Sequence, residues 1–121
     1  MPTMSFLSRM FSVPGTSNHP VITPADYILR FVEGKEQHTL VDVRTAEEYR
    51  SGYIPGAINI SVQELSGKLS KIAKDQPVVV YCRSGNCSAH AAQTLLAAGY
   101  TEVYDLGGLF EWARQGGAIT Y

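Results

Sequence analysis

The sequence predicts an α/β domain: a parallel sheet of five short strands with helices on both faces. Three observations predict it. Short apolar runs (Val21-Ile22, Thr39–Val43, Ala57–Ile60, Val78–Tyr81 and Val103-Tyr104) alternate with stretches of helical period, as when crossover helices join parallel strands. Helix-capping signals stand at several of the joints. Hydrophobic residues make up 45% of the 121 and charged residues 17%, a balance that fits one core in one domain.

Taken in order, Val21-Ile22 is a short apolar start, and Thr23-Pro24 is a helix-entry pair with proline at the first helical position. Ala25, Ile28, Leu29 and Val32 keep helical spacing up to Gly34. Thr39–Val43 reads as the second strand. Thr45 and Glu48 then form a capping box for a short helix ending near Gly52. Pro55-Gly56 marks a turn before the third strand. Ser61 and Glu64 form a second capping box, which predicts a helix carrying Leu65, Leu69 and Ile72 on one side. Val78–Tyr81 is a fully apolar fourth strand. After the loop that follows it, Ala91, Ala92, Leu95 and Leu96 form one stripe of a helix, stopped at Gly99. Val103-Tyr104, Gly107-Gly108 and a last helix over 109–114 complete the chain. Residues 1–20 read as a flexible lead and 21–121 as the domain; the alternative for the lead is a short surface helix over Ser5–Phe11.

Composition narrows the function. A net charge of -1 gives no support for nucleic-acid binding or a basic membrane-binding face. No apolar run approaches the roughly 20 residues of a membrane span. No secretory signal is visible, so cytoplasm is the default expectation. His19, His38 and His90 are scattered without ligand spacing, so no metal site and no cofactor is expected. Cys82 and Cys87 are the two cysteines, five positions apart. A structural bridge there would close a very short loop and stabilise little, so a catalytic or redox role fits better.

Cys82 ends the Val78–Tyr81 run, where a parallel strand hands over to a helix. Active sites of open α/β sheets lie at such strand ends; Asp42 and Asp105 occupy two others. A loop that turns its N–H groups inward, next to a helix N-terminus, favours a thiolate and can hold an anion against it. Gly85 lets the loop turn, and Arg83 can supply a cation for an anionic donor.

These residues resemble a known family. Leu40-Val41-Asp42-Val43-Arg44, Glu47-Glu48-Tyr49 and Gly52-Tyr53-Ile54-Pro55-Gly56-Ala57-Ile58-Asn59 look like the first signature of rhodanese-like domains. Cys82-Arg83-Ser84-Gly85-Asn86-Cys87-Ser88 looks like their active-site loop. Gly107-Gly108 with Trp112 and Gly117 is similar to their closing signature. The resemblance implies strand order 3-2-4-5-1 and sulfurtransferase activity. Cys82 would take the outer sulfur of a small anionic donor such as thiosulfate as a persulfide. Cyanide, a small thiol or a protein thiol would then accept it. The site residues implied are Cys82 as nucleophile, Arg83, Ser84, Gly85, Asn86, Cys87 and Ser88 as the loop, and Asp42 and Arg44 in support.

Several readings compete. Cys82 could be an inert buried cysteine, and Arg83 a solvated surface residue. Asp42 and Arg44 fit an orienting role, with Glu47 or Glu48 as candidate partners for Arg44. Trp112 reads as core, and Asn86 and Ser88 as loop and cap residues. Cys87 stands where the family usually has Arg or Thr, which removes a cation and adds a second sulfur. It is either a packing residue or one that attacks the Cys82 persulfide. A phosphatase would need Arg six positions after the cysteine, where Ser88 stands. The same residues would also suit a persulfide carrier served by a partner, an interaction module or a Cys82/Cys87 thiol-disulfide protein.

Overall fold

The computed structural model describes residues 20–121. His19 and the Ser5–Phe11 segment lie outside the described residues. Four parallel strands form one sheet: β1 (Thr39–Asp42), β2 (Ile58–Asn59), β3 (Val78–Cys82) and β4 (Val103–Gly108), in the order β2-β1-β3-β4. The expected fifth strand is a single parallel bridge, Val21 to Asp105, on the far side of β4. The Ile22 N–H donates to the Asp105 carbonyl and the Asp105 N–H to the Pro20 carbonyl. The order expected from sequence is therefore kept, with its edge strand reduced to a bridge. Proline before Val21 and the helix cap at Thr23 directly after Ile22 leave no room for a longer ladder.

The helices are α1 (Pro24–Tyr27), α2 (Ala46–Arg50), α3 (Asn86–Ala97) and α4 (Leu109–Arg114). Thr23 caps α1 through its side chain, with proline at the first helical position. The chain then widens into a π-helical turn over Ile28–Glu33. This changes which face is buried: Tyr27 and Phe31 enter the core, while Leu29 and Val32, expected in the stripe, are 65% and 52% exposed. One extra residue in the turn rotates the face that follows it. The predicted Thr45–Glu48 capping box is formed in both directions.

The helix expected after Ser61 is instead two 3₁₀ turns, Leu65–Gly67 and Leu69–Lys71, with neither capped by a side chain. Gly67 and two serines weaken helix propensity there. Lys68, at φ -127°, separates the turns. Leu65 and Ile72 are buried as their spacing predicts; only the type of element differs.

The central strand shows the two-residue period of a sheet covered on both sides. Val78, Val80 and Cys82 face a cluster with Val41, Leu65, Ile72, Ala91, Ala92 and Leu95. Val79 and Tyr81 face the opposite cluster, with Tyr27, Phe31, Leu40, Ile54 and Trp112. Cys82 therefore lies on the α3 side of the sheet, at its carboxyl end. Among the described residues no helix is long and apolar enough to cross a membrane.

Candidate active site

β3 fixes the position of Cys82. All five of its residues are buried, and Cys82 is 2% exposed. Gly85 turns the chain at φ +105°, a conformation side chains rarely allow. α3 then starts at Asn86, inside the stretch that the sequence assigns to the loop. Asn86, Cys87 and Ser88 are thus its first turn, and no side chain supplies the usual cap bond. The sulfur of Cys82 takes that place. It accepts N–H bonds from Gly85 at 3.0 Å and from Ser88 at 3.1 Å. Ser88, fully buried, closes the ring by donating its hydroxyl to the Gly85 carbonyl at 3.0 Å.

Two amide donors at the N-terminus of a 12-residue helix point at this sulfur, an arrangement that suits an anion. Its depth is greater than a freely accessible nucleophile requires. The sulfur sits on the floor of the ring, with little of its surface open to solvent.

Gly107 and Gly108 are the seat of the loop, and they are not among the site residues expected from sequence. A register shift between β3 and β4 skips Leu106, so that Tyr81 pairs with Gly107 and Cys82 with Gly108. A Cβ on Gly108 would lie 2.7 Å from the Arg83 carbonyl oxygen and 3.1 Å from Ser84 backbone atoms. Only a bare backbone lets the loop lie against β4 here. A signal exists in the sequence: a Gly-Gly pair at the end of the strand expected beside Cys82.

Asp42 ends the neighbouring strand β1, and Arg44 follows two residues on. Asp42 is fully buried, and Arg44 is nearly so. Arg44 Nη2 donates to Asp42 Oδ2 at 2.7 Å and to the Gly52 carbonyl at 2.6 Å. Asn59 Nδ2 donates to the carbonyls of both residues. The expected pairing of Arg44 with Glu47 or Glu48 is not made; Glu48 is engaged in the Thr45 capping box. Trp112 is buried and donates to the Ala118 carbonyl at 2.9 Å, a packing role as expected. Asp105, at the end of its own run, accepts from the Gly107 N–H at 2.9 Å and so shapes the glycine seat. His38 meets the Tyr27 hydroxyl at 2.6 Å, and His90 is on the surface.

Besides a cleft between Arg83, Ser84, Gly108, Phe110 and Glu111, two grooves flank the loop. One is lined by Arg83, Leu109, Phe110, Ala113 and Ile119 with Arg44 at its base. Arg83 is 83% exposed and stands 4.0 Å from Glu48, close enough for a weak pair and free enough to meet a ligand. The other is lined by Cys87 with Thr45, Glu48, Asn59, Gln63 and Glu64. Cys87 is exposed. Its pKa is raised, first by desolvation and then by Cys82 beside it. Ser84 and Asn86 lie at the rim. The structure thus gathers Cys82 through Ser88 in one place, with Asp42 and Arg44 at the neighbouring strand end.

The comparisons with known proteins agree with this geometry. A family model for the rhodanese-like domain matches residues 24–115. A protein of Allochromatium vinosum named sulfurtransferase is 43% identical over 82 residues, 67% of this chain and 77% of that protein. An uncharacterized protein of Bacillus subtilis is 41% identical over 83 residues, 68% of this chain and 66% of its own length. The solution structure of a rhodanese-like domain from Anabaena superposes with a TM-score of 0.78 at 28% identity, covering 84% of this chain and 79% of that one. With the α/β architecture, the cysteine loop and a match over most of its length, the chain belongs to the rhodanese-like domain family.

Proposed function

We propose that the protein is a sulfurtransferase that carries sulfane sulfur on Cys82. The family match and a relative named sulfurtransferase support sulfur transfer in general. The observation that carries the finer reading is the pair of N–H bonds from Gly85 and Ser88 to the Cys82 sulfur. An anionic sulfur there attacks the outer sulfur of thiosulfate, the S–S bond of the donor breaks, and sulfite leaves with the electron pair. The Cys82 persulfide that remains keeps its charge near the same amides. Cyanide attacks the outer sulfur, leaves as thiocyanate and returns the thiolate. Arg83 meets the anionic donor at the rim. With one cation in the loop, capture of a doubly charged donor is weak.

The test is incubation with thiosulfate followed by intact mass measurement. Wild-type protein gains the mass of one sulfur atom and Cys82→Ala gains none. Equal gain by both proteins would refute the assignment of Cys82.

A further inference from the structure

We propose that Cys87 is a second sulfur carrier, which takes the outer sulfur from the Cys82 persulfide and presents it at the surface. The inference rests on the Cys82 persulfide of the preceding reading and extends it. Cys82 is 2% exposed, on the floor of the ring, whereas Cys87, in the first turn of α3, is exposed and lines the groove on that side. A small anion or cyanide can reach the floor; the thiol of a folded protein cannot follow it without displacing the rim. The first turn of α3 holds Cys87 beside Cys82: the N–H of the next residue, Ser88, donates to the Cys82 sulfur at 3.1 Å, and Cys82 acts electrostatically on the Cys87 thiol.

The step balances without an oxidant or reductant. The Cys87 proton passes to the outer sulfur of the persulfide. The Cys87 thiolate attacks that outer sulfur. A new S–S bond forms on Cys87, the S–S bond on Cys82 breaks, and its electron pair returns to the Cys82 sulfur. The products are Cys82 thiolate and Cys87 persulfide, and the transferred sulfur keeps its oxidation state. The leaving group is the sulfur held by the Gly85 and Ser88 amides, which favours this direction of cleavage. The competing attack, on the inner sulfur, would expel hydrosulfide and join Cys82 to Cys87. It would have to reach a buried atom, pull it from both amides and distort the first turn of α3 to meet disulfide geometry.

Trypsin separates the two positions, because cleavage after Lys74, Arg83 and Arg114 places Cys82 in Asp75–Arg83 and Cys87 in Ser84–Arg114. The protein is loaded with thiosulfate, and in parallel with glutathione persulfide. It is then trapped with a thiol alkylating agent, digested and analysed by mass. Wild-type protein is expected to show the extra sulfur on both peptides. Cys87→Ser should hold it on Asp75–Arg83 alone, and Cys82→Ala should show none on Ser84–Arg114. In Cys87→Ser the ratio of turnover with a folded protein thiol to turnover with cyanide should fall about tenfold. Sulfur confined to Asp75–Arg83 in the wild type, with that ratio unchanged in Cys87→Ser, overturns the relay while leaving the Cys82 persulfide intact. A cross-linked pair of the two peptides with released hydrosulfide overturns it in favour of inner-sulfur attack. Label on Ser84–Arg114 of Cys82→Ala overturns it as direct loading. Absence of extra sulfur from both wild-type peptides with both donors refutes the Cys82 persulfide, and the relay with it.

Discussion

At the scale of single residues, the site depends on one sulfur standing in for a capping side chain. The first amides of α3 have no carboxamide, hydroxyl or carboxylate to receive them, and the Ser88 N–H turns to Cys82 instead. The helix start and the proposed nucleophile are thereby one feature. The same proximity governs Cys87, whose pKa is raised by desolvation and by Cys82 beside it. Cys82→Ala removes the second cause. At a fixed pH below its pKa, Cys87 then ionises more readily, and its alkylation by iodoacetamide should be faster in Cys82→Ala than in the wild type. An equal or slower rate would show that Cys82 does not act on Cys87. At the end of β1, Asp42 is fully buried and answered by Arg44. Arg44→Met leaves that carboxylate without its partner, which should cost about 3–5 kcal/mol in urea denaturation. Asp42→Asn combined with Arg44→Met should recover part of the loss, because no unpaired charge is then buried.

At the scale of elements, the bend in β4 determines where the loop can rest. The shift that brings Gly108 beside Cys82 also brings its α-carbon against the Arg83 carbonyl. Gly108 has φ -95°, which any residue adopts, so Gly108→Ala tests contact and not backbone strain. Its Cβ would meet backbone atoms at 2.7 Å, and backbone cannot swing aside as a side chain can. The loop must move, at a cost of about 1–3 kcal/mol. Displacement of the amides from the sulfur should lower the rate of sulfur uptake from thiosulfate by about tenfold to a hundredfold. A variant with wild-type uptake would show that the loop tolerates the shift.

The elements also show what the sequence can convey. The strands are legible because alternation and apolar runs respond directly to a sheet buried on both faces, as in Val78–Cys82. The α2 cap is legible because Thr45 and Glu48 satisfy each other within one turn. The 3₁₀ turns at 65–71 are not, since their apolar spacing is the same as a helix would show. Leu29 and Val32 are misplaced by helical spacing because a π turn is set by packing of Tyr27 and Phe31, not by a local signal. In the site, Cys82 and its loop are legible as a motif. Its depth is not, nor is the role of Gly108, because both arise from contacts between strands distant in sequence.

At the scale of the whole molecule, the sheet is closed at its β4 edge by the beginning of the domain, and charge helps to fasten it. Arg30, in the π turn after α1, donates to both carboxylate oxygens of Glu36, to Glu102 at 2.7 Å and to the Tyr104 hydroxyl at 2.9 Å. These hydrogen bonds lower the pKa values of Glu36 and Glu102. Beside them, His38 bridges the Tyr27 hydroxyl and the Glu36 carbonyl. Burial lowers its pKa; Glu36 opposes that shift and the charge of Arg30 adds to it. The sign is the same for all three groups, since each binds protons more readily in the unfolded chain. The windows differ. The contribution of His38 is whole above its unfolded pKa of about 6.5 and is lost as pH falls from there through its lower folded value. The contributions of Glu36 and Glu102 are whole above about pH 4.5 and are lost as pH falls through their depressed folded values. Stability in urea should therefore drop in two stages on acidification. His38→Gln should flatten the first stage, between about pH 7.5 and 5.5, relative to wild type. Arg30→Met should flatten the second, between about pH 5 and 3, because the glutamates then titrate alike in both states. If His38→Gln and wild type lose equal stability over the upper window, the imidazole is not part of the fastening. If Arg30→Met and wild type lose equal stability over the lower window, the Arg30 network does not join the first helix to the β4 edge of the sheet.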